Sequence, residues 1–369
     1  MKVMALCSYP LEAAATRFRV EQFSNYLHER GVVVDIRPFL DSEGFKKLYS
    51  GGSQWGKIKK LLSGTWVRLR LTSGAASYDL LFVQREAMPV GPGVFEWIYS
   101  RLGRLPIVLD LDDATYVRYV SPTYGRLGSA LKFFGKTDKL IDRSEVVICG
   151  NRFIAEYVEG RGKRAVVIPT IVDTDIFTPA ERSNEVPVIG WIGTHSTFPF
   201  LEKLFPVLTE LARRHRFVLK IVGAGREKVE VEGVEVVNLP WSLDREVQDF
   251  QSLDIGLYPI DIAGSLDAAW LAGKSGFKAI QYLAVGVPFV MTPVGVCAEI
   301  SEPGGTHFNA SSDEDWYNAL DKLLSDDGLR AAMGRAGREH SLANYRLDIH
   351  AETLARVLRE VCDGRGRDT

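Results

Sequence analysis

Short apolar strands alternate with amphipathic helices along this chain, and this alternation constrains the fold more than any other feature. Residues 2–8 are strand-like, residues 17–29 have the apolar spacing of a helix, and residues 32–36 are strand-like again. A strand, a helix and a second strand in this order predict a parallel sheet with helices on its faces. The pattern starts again at residues 188–194, after the polar, proline-containing stretch 179–185, which we interpret as a linker. We therefore predict two α/β domains.

The composition is that of an ordinary soluble protein, and it argues against several functional classes. The 369 residues are enough for two domains, each with its own core. A net charge of −2 gives no reason to expect binding to nucleic acid. The four cysteines are scattered without C-x-x-C spacing, which favours reduced structural thiols over a metal site. No apolar run reaches the roughly 18 residues of a membrane span, so we expect a cytoplasmic protein.

Residues 273–288 predict a helix with a defined start and end. Ser275 is a favourable N-cap residue. Gly286 suits the left-handed residue that follows a last helical turn, and Pro288 prevents the helix from continuing. The apolar residues after it indicate a buried strand.

Two lysines and a glutamine share one edge of this predicted helix. At 100° per residue, Lys274, Lys278 and Gln281 fall on the same side. A helix N-terminus carries partial positive charge and free N–H groups, so the added lysines predict a site for a polyanion such as a diphosphate. The alternative is a charged edge that only faces solvent, as most charged stripes do.

The run K-S-G-F-K-A-I-Q-Y-L-A-V-G-V-P resembles the donor-binding segment of family 4 glycosyltransferases, which are retaining enzymes of the GT-B fold. It is similar to a bacterial branch with the motif G-K-x-x-F-K-x-x-Q/E-Y-M-A-x-G-x-P. The usual family pattern is E-x7-E, and here Gly273 and Gln281 stand at the two glutamate positions. The resemblance implies two Rossmann-like domains that face each other across a cleft. Residues 1–178 would form the acceptor domain and residues 186–344 the donor domain, with the helix at 345–369 packing back on the first.

The resemblance also implies a nucleotide-sugar donor, a UDP-, GDP- or dTDP-sugar, bound without an obligatory cofactor or metal. Lys274 and Lys278 would neutralise its diphosphate, with Lys274 acting catalytically on the leaving nucleotide. Gln281 would bond to the ribose hydroxyls, and Trp241 is a candidate contact for the base or, equally, a core residue. The implied donor-binding residues are Gly193, Thr194, Trp241, Lys274, Lys278 and Gln281.

Three carboxylates, Asp110, Asp112 and Asp113, stand at the end of a predicted strand over residues 106–113. Carboxylates this close repel one another unless a cation or a shared proton compensates, so their placement indicates a site. The sequence D-L-D-D suits a metal-binding D-x-D motif. It also suits a phosphatase of the haloacid dehalogenase type, with Asp110 as nucleophile and Asp112 as acid. The third candidate is the acceptor end of a glycosyltransferase.

The resemblance favours the third candidate. Asp112 takes the place of a histidine that the family usually has, and Asp113 that of the aspartate after it, so we predict both as catalytic residues. Arg85, at the end of the strand predicted over residues 79–85, and Asp110 are predicted to contact the acceptor. Arg17 lies in A-A-A-T-R-F-R, which resembles the branch's s-x-R-x-R opening, and is predicted to contact the acceptor or the donor phosphates. A surface ion pair is the alternative for Arg17.

Residues 44–78 contain seven lysines and arginines and no acidic residue, interleaved with aromatic and aliphatic side chains. Such a segment indicates either a peripheral contact with anionic lipid at the inner face of the membrane or a basic helix pair that faces solvent.

Together these patterns predict a retaining glycosyltransferase that moves a sugar from a nucleotide donor to a glycan or lipid-linked acceptor. Synthesis of a cell-surface polysaccharide or glycoconjugate is the expected context. A nucleotide-sugar epimerase of the same fold, a Mg-dependent phosphatase and a non-enzymatic sugar-binding protein remain open alternatives.

Overall fold

The computed structural model describes residues 1–49, 54–118, 132–181, 184–260 and 267–364. Contacts divide the chain into two compact units. The first unit comprises Met1–Thr170 and Leu347–Thr369, and the second comprises Ile171–Arg346. The division thus falls ahead of the boundary at residue 178 that the sequence pattern suggested.

A parallel six-stranded sheet forms the centre of the first unit. Its strands are β1 Lys2–Cys7, β2 Val33–Pro38, β3 Leu80–Gln84, β4 Ile107–Leu111, β5 Val146–Cys149 and β6 Ala165–Val167. They lie in the order β2-β1-β3-β4-β5-β6. Every residue of β3, β4 and β5 is buried, as in parallel sheets covered on both faces. The strand order reverses between β1 and β3, and open α/β sheets bind ligands beyond the carboxyl ends of the strands at such a point.

The helices that cover this sheet include two that the sequence pattern predicts as one. In the described residues they are α1 Ala14–Arg19, α2 Ser24–Glu29, α3 Ser42–Tyr49, α4 Gln54–Leu71, α5 Val94–Leu102, α6 Gly135–Arg143 and α7 Arg152–Gly160. The continuous helix predicted over residues 17–29 is wrong, because Val20 leaves the helical region at φ −130° and ψ −60°. The Ser24 hydroxyl donates to the Val20 carbonyl at 3.4 Å, a local bond that competes with helix continuation.

A buried ion pair ties α1 to β4. The Arg19 guanidinium donates to both carboxylate oxygens of Asp110, with Nε at 3.1 Å from Oδ2, and its Nη1 donates to the Ile168 carbonyl at 2.6 Å. Both charged side chains are only 1% exposed. Burial on its own would lower the pKa of Arg19, but the Asp110 carboxylate outweighs it and raises that pKa. The charges therefore compensate each other inside the unit.

The second unit is built on another parallel six-stranded sheet. Its strands are β7 Val188–Ile192, β8 Val218–Val222, β9 Glu235–Leu239, β10 Ile255–Tyr258, β11 Phe289–Met291 and β12 His307–Asn309. They lie in the order β12-β11-β10-β7-β8-β9, so the order reverses between β7 and β10. The helices in the described residues are α8 Phe198–Glu202, α9 Phe205–Ala212, α10 Glu246–Gln251, α11 Ala268–Ala272, α12 Phe277–Ala284, α13 Asp313–Ser325 and α14 Asp327–Asn344. The predicted α/β fold with two Rossmann-like sheets is confirmed.

Helix α12 corresponds to the helix predicted at residues 273–288, but its start differs. Ser275 is not the N-cap, because Gly276 holds that position in the left-handed conformation with φ 63°. A Cβ on Gly276 would lie 2.7 Å from Ile300 Cδ1, so both the backbone angle and the space favour glycine. Lys274 therefore precedes the helix instead of lying on its edge. The predicted end is confirmed, since Gly286 has φ 64°.

The last helix, α15 Leu347–Gly364, belongs to the first unit. Arg30 Nε contacts Glu352 at 2.9 Å, and the Tyr26 hydroxyl donates to the same carboxylate at 3.0 Å. Arg164 pairs with Glu360 further along the helix. Within the described ranges, no helix combines the length and apolar character that a membrane span requires.

Stability of the first unit should depend on the Arg19–Asp110 pair. We expect Arg19→Met to lower the free energy of unfolding by about 3–5 kcal/mol, because Asp110 would remain buried without its cation. Replacing both charges in Arg19→Met/Asp110→Leu should recover part of this loss. Urea unfolding measures the effect.

The control is Arg152→Met, which removes exposed contacts to Glu156 and Glu159 on α7. It should cost less than about 1 kcal/mol. Equal losses in Arg152→Met and Arg19→Met would contradict the assignment.

Stability of the second unit should depend on pH through His307. The ring is fully buried and stacked 5.0 Å from Phe289, and burial lowers its pKa to about 4. The unfolded chain, with a histidine pKa near 6.5, takes up this proton first as the pH falls. Stability is therefore lost below pH 6.5, by about 2 kcal/mol between pH 7 and 5.

Unfolding of His307→Asn as a function of pH should show a correspondingly smaller loss. The exposed His28→Asn variant is the control and should keep the wild-type pH dependence. An unchanged pH dependence in His307→Asn would contradict the prediction.

Candidate active site

The predicted acceptor residues lie at the carboxyl ends of two neighbouring strands in the first unit. Gln84 of β3 pairs in register with Asp110 of β4, so the residues that follow both strands emerge at the same edge. This edge adjoins the point where the strand order reverses, beside β1. Arg85 follows β3, and Asp112 and Asp113 follow β4.

Arg85 joins the two carboxylates that follow β4. Its Nη2 lies 2.6 Å from Asp112 Oδ2 and 2.8 Å from Asp113 Oδ2, and Gln84 Nε2 donates to Asp112 Oδ1 at 3.3 Å. Arg85 adopts φ 60°, a left-handed conformation that costs free energy in a side chain of this size and often marks a functional site. Burial would raise the pKa of Asp112, but the Arg85 guanidinium outweighs it, so the pKa is lowered and the carboxylate stays charged.

The three carboxylates differ in how far a ligand can reach them. The Asp110 side chain is held against Arg19 inside the unit, and Asp112 is 6% exposed, whereas Asp113 is 30% exposed. A phosphatase needs Asp110 as an accessible nucleophile, so its buried ion pair argues against that alternative. The arginines also occupy the oxygens that a metal-binding D-x-D motif would offer. In the described ranges, no group of three or more His, Cys, Asp or Glu side chains could hold a metal ion.

Arg17 and Arg19 have separate positions. The Nη1 atom of Arg17 donates to the carbonyls of Leu11 and Glu12 at 3.0 and 3.3 Å, in the loop before α1. Arg19 is the residue that reaches one of the three carboxylates, Asp110, although no role was predicted for Arg19. Alternate residues of a helix point in different directions, so the motif could have signalled one inward arginine but not which of the two.

In the second unit, Gly193 and Trp241 both lie beside Gly223 at the carboxyl edge of the sheet. A Cβ on Gly193 would fall 2.1 Å from the Trp191 ring, which requires glycine there. Gly223 has φ 84°, and a Cβ on it would lie 2.3 Å from the Gly193 carbonyl oxygen and 3.5 Å from Trp241 Cβ. Trp241 is half-buried beside this turn rather than part of the core. The exposed Thr194 follows Gly193 at this edge, and its N–H donates to Thr197 Oγ1 at 3.2 Å.

The two lysines lie near the start of α12. Lys274, in the loop between α11 and α12, places Nζ 3.6 Å from the centre of the Trp270 ring. Lys278, the second residue of α12, has Nζ 5.9 Å from the centre of the Phe250 ring. Both lysine residues are half-buried, and each ammonium group lies near an aromatic ring, a contact that favours the cation. No role was predicted for Trp270, although the sequence places it four residues before Lys274.

Gln281 has a different environment from the lysines. Its side chain is 0% exposed, and neither amide atom has a hydrogen-bond partner in the described part of the chain. An unsatisfied buried amide costs stability, and such a group in a native structure calls for an explanation, such as a role in function.

Residues 186–326 match the model of the family described as "Glycosyl transferases group 1". The chain is 25% identical over 252 residues to the D-inositol 3-phosphate glycosyltransferase of Corynebacterium jeikeium, covering 60% of this chain and 59% of that protein. It is 28% identical over 214 residues to the GDP-mannose-dependent monoacylated alpha-(1-6)-phosphatidylinositol monomannoside mannosyltransferase of Corynebacterium glutamicum, covering 52% and 55%. The matches therefore span little more than half the length of these relatives.

Solved structures resemble nearly the whole chain. Anabaena Alr3699/HepE in complex with UDP-glucose has a TM-score of 0.68 at 15% identity, covering 98% of this chain and 100% of that one. WaaG, a glycosyltransferase involved in lipopolysaccharide biosynthesis, has a TM-score of 0.60 at 15% identity, covering 97% and 99%. Identities this low establish the fold only, and the predicted GT-B fold is confirmed. The match to the group 1 family covers residues 186–326, which lie within the second unit.

Proposed function

We propose that this chain is a retaining glycosyltransferase that moves a sugar from a nucleotide-diphosphate donor to a hydroxyl of a glycan or lipid-linked acceptor. We place it in the synthesis of a cell-surface polysaccharide or glycoconjugate. The observation that carries the proposal is the pair Lys274 and Lys278 at the start of α12, within the region that matches the family. A relative named as GDP-mannose-dependent and a neighbour in complex with UDP-glucose support a nucleotide-sugar donor.

The second unit would bind the donor. Lys274 and Lys278 supply two positive charges beside a helix N-terminus, where N–H groups and the helix dipole favour a diphosphate. Gly193 and Thr194 allow backbone and hydroxyl groups to approach phosphate oxygens. Trp241 is the proposed contact for the base, which is uracil in a UDP-sugar, guanine in a GDP-sugar and thymine in a dTDP-sugar.

Transfer would break the bond between the anomeric carbon and the diphosphate oxygen. The acceptor oxygen would bond to the same face of that carbon, and the acceptor proton would go to the departing phosphate. The lysines would stabilise the negative charge on the leaving group, an effect worth several kcal/mol at comparable sites. Acceptor-dependent release of nucleoside diphosphate tests the reaction, and the anomeric configuration of the product, read by NMR, tests retention.

The first unit would bind the acceptor through Asp113 and Arg85. Asp113 is the most exposed of the three carboxylates and can accept a hydrogen bond from an acceptor hydroxyl. Asp112 would act by holding Arg85 in position, since its own side chain is nearly buried. Asp110 would fix the end of β4 through Arg19, and Arg17 remains a proposed acceptor contact.

Nucleotide binding should depend on Lys274. At 100 times its dissociation constant, a nucleoside diphosphate should stabilise the folded chain by about 2.7 kcal/mol, seen as a rise in Tm. We expect Lys274→Ala to abolish this rise, because it removes one of the two charges that face the diphosphate. The matched control is Lys322→Ala, whose ammonium also lies over an aromatic ring, that of Phe308, at 5.7 Å. A full rise in Lys274→Ala would place the phosphates elsewhere.

Gln281 offers a second test, because its substitution should affect the stability of the unliganded chain and nucleotide binding in opposite directions. If its amide serves the donor ribose, Gln281→Leu should keep or raise the Tm of the unliganded chain, by removing an unsatisfied polar group, and weaken nucleotide binding at least about tenfold. Ser341→Ala is the control, since its buried hydroxyl also has no partner among the described residues. It should leave nucleotide binding unchanged, and unchanged binding in Gln281→Leu would remove this residue from the donor site.

A further inference from the structure

Helix α4 carries a row of exposed apolar side chains on one face. Trp55, Ile58, Leu62, Trp66 and Leu69 follow one another at spacings of three and four residues, which places them on one side of a helix. We call this row the outer stripe. Trp55 is 79% exposed, Leu62 65% and Trp66 56%, so the stripe faces away from the core. At 1.5 Å per residue it is about 21 Å long.

The opposite face of α4 fixes this orientation. A Cβ on Gly64 would lie 2.6 Å from the Phe39 carbonyl oxygen, so the helix backbone is already in close contact with the unit. The buried Arg68 donates to the carbonyls of Ala87, Arg37 and Cys7 at 3.0, 2.8 and 2.9 Å. The helix cannot rotate to bury the outer stripe without breaking these bonds.

The cations of α4 whose side chains the structure describes divide into internal and external groups. Arg68 is internal, and Lys60 contacts Asp41 and Glu43 at 2.9 and 2.7 Å. Lys59 and Arg70 are exposed and lie directly beside the outer stripe by helical position. The Arg70 guanidinium carbon is 5.1 Å from the centre of the Trp66 ring, which links the charge to the apolar row.

We propose that the outer stripe is a membrane-contact surface that inserts its apolar side chains into the interface of an anionic lipid bilayer. Tryptophan rings favour the headgroup region, the aliphatic side chains favour the acyl boundary, and lysine and arginine beside them meet lipid phosphates. This inference goes beyond the proposed glycosyl transfer, since lipid binding requires no turnover.

Charge distinguishes the bilayer from a second copy of the chain. The stripe has the spacing of a helix-pairing seam, but residues 44–78 contain no acidic residue. Pairing two such faces would bring Lys59 and Arg70 towards their own copies without a counter-charge within the segment. An anionic lipid surface supplies that counter-charge.

The division of the cations also predicts the salt dependence. Because Lys60 and Arg68 are engaged within the unit, apolar insertion should account for most of the affinity, and Lys59 and Arg70 for a smaller electrostatic share. Salt should therefore weaken vesicle binding without abolishing it, since screening acts on the exposed charges alone.

Co-sedimentation with vesicles tests the proposal. The wild-type chain should bind vesicles of phosphatidylcholine mixed with phosphatidylglycerol, and bind phosphatidylcholine alone more weakly. Leu62→Glu/Trp66→Glu should lower the partition coefficient at least about tenfold, because two carboxylates replace inserted apolar groups. The matched control is Ile349→Glu on α15. It introduces a carboxylate at another exposed aliphatic side chain, which is 48% exposed, and should bind vesicles as the wild type does.

Two results would overturn the proposal: no binding of the wild-type chain to the anionic vesicles, or full binding by the double variant. A concentration-dependent dimer that the double variant loses, with vesicle binding unchanged, would assign the stripe to a second copy instead. The nucleotide-induced rise in Tm, measured on the same samples, reports the donor site separately. A variant that keeps this rise in Tm but no longer binds vesicles is folded. Loss of membrane binding can therefore be distinguished from loss of the proposed activity.

Discussion

Charge compensation at the carboxyl ends of β3 and β4 is the interaction on which the first unit depends. Two arginines from different elements, Arg19 and Arg85, neutralise carboxylates that would otherwise repel one another. The first pair is closed to solvent and acts on stability. The second leaves Asp113 partly exposed, and this difference separates a structural carboxylate from one that can meet a hydroxyl.

The second unit depends instead on close backbone approach. Gly193 and Gly223 pack so tightly that a Cβ on the second would fall 2.3 Å from the carbonyl oxygen of the first, which brings Trp241 to the edge of the sheet. Gly276 turns the chain before α12, so Lys274 lies in the loop that precedes the helix and Lys278 lies in its first turn.

Much of the fold was readable from the sequence, because strands and helices leave different apolar periods and glycine and proline mark their ends. Both parallel sheets and the glycine end of α12 were predicted in this way. The break at Val20 and the start of α12 were not, since each depends on the backbone angles of a single residue within an unbroken apolar pattern. The basic character of residues 44–78 was also visible, but not that Arg68 points inward while Trp55 and Leu62 point outward.

The amino-acid sequence is sufficient to identify which chemical groups are available: the acidic strand end, the two lysines at the start of a helix, and the segment without acidic residues. The pairing of these groups depends on the folded arrangement, because a side chain's partner is set by elements distant in the chain. Arg19 meets Asp110 across 91 positions, and this contact, not the local motif, makes one aspartate structural and leaves another accessible. Local spacing fixes the face a residue occupies, whereas burial and charge compensation depend on what the fold brings against that face.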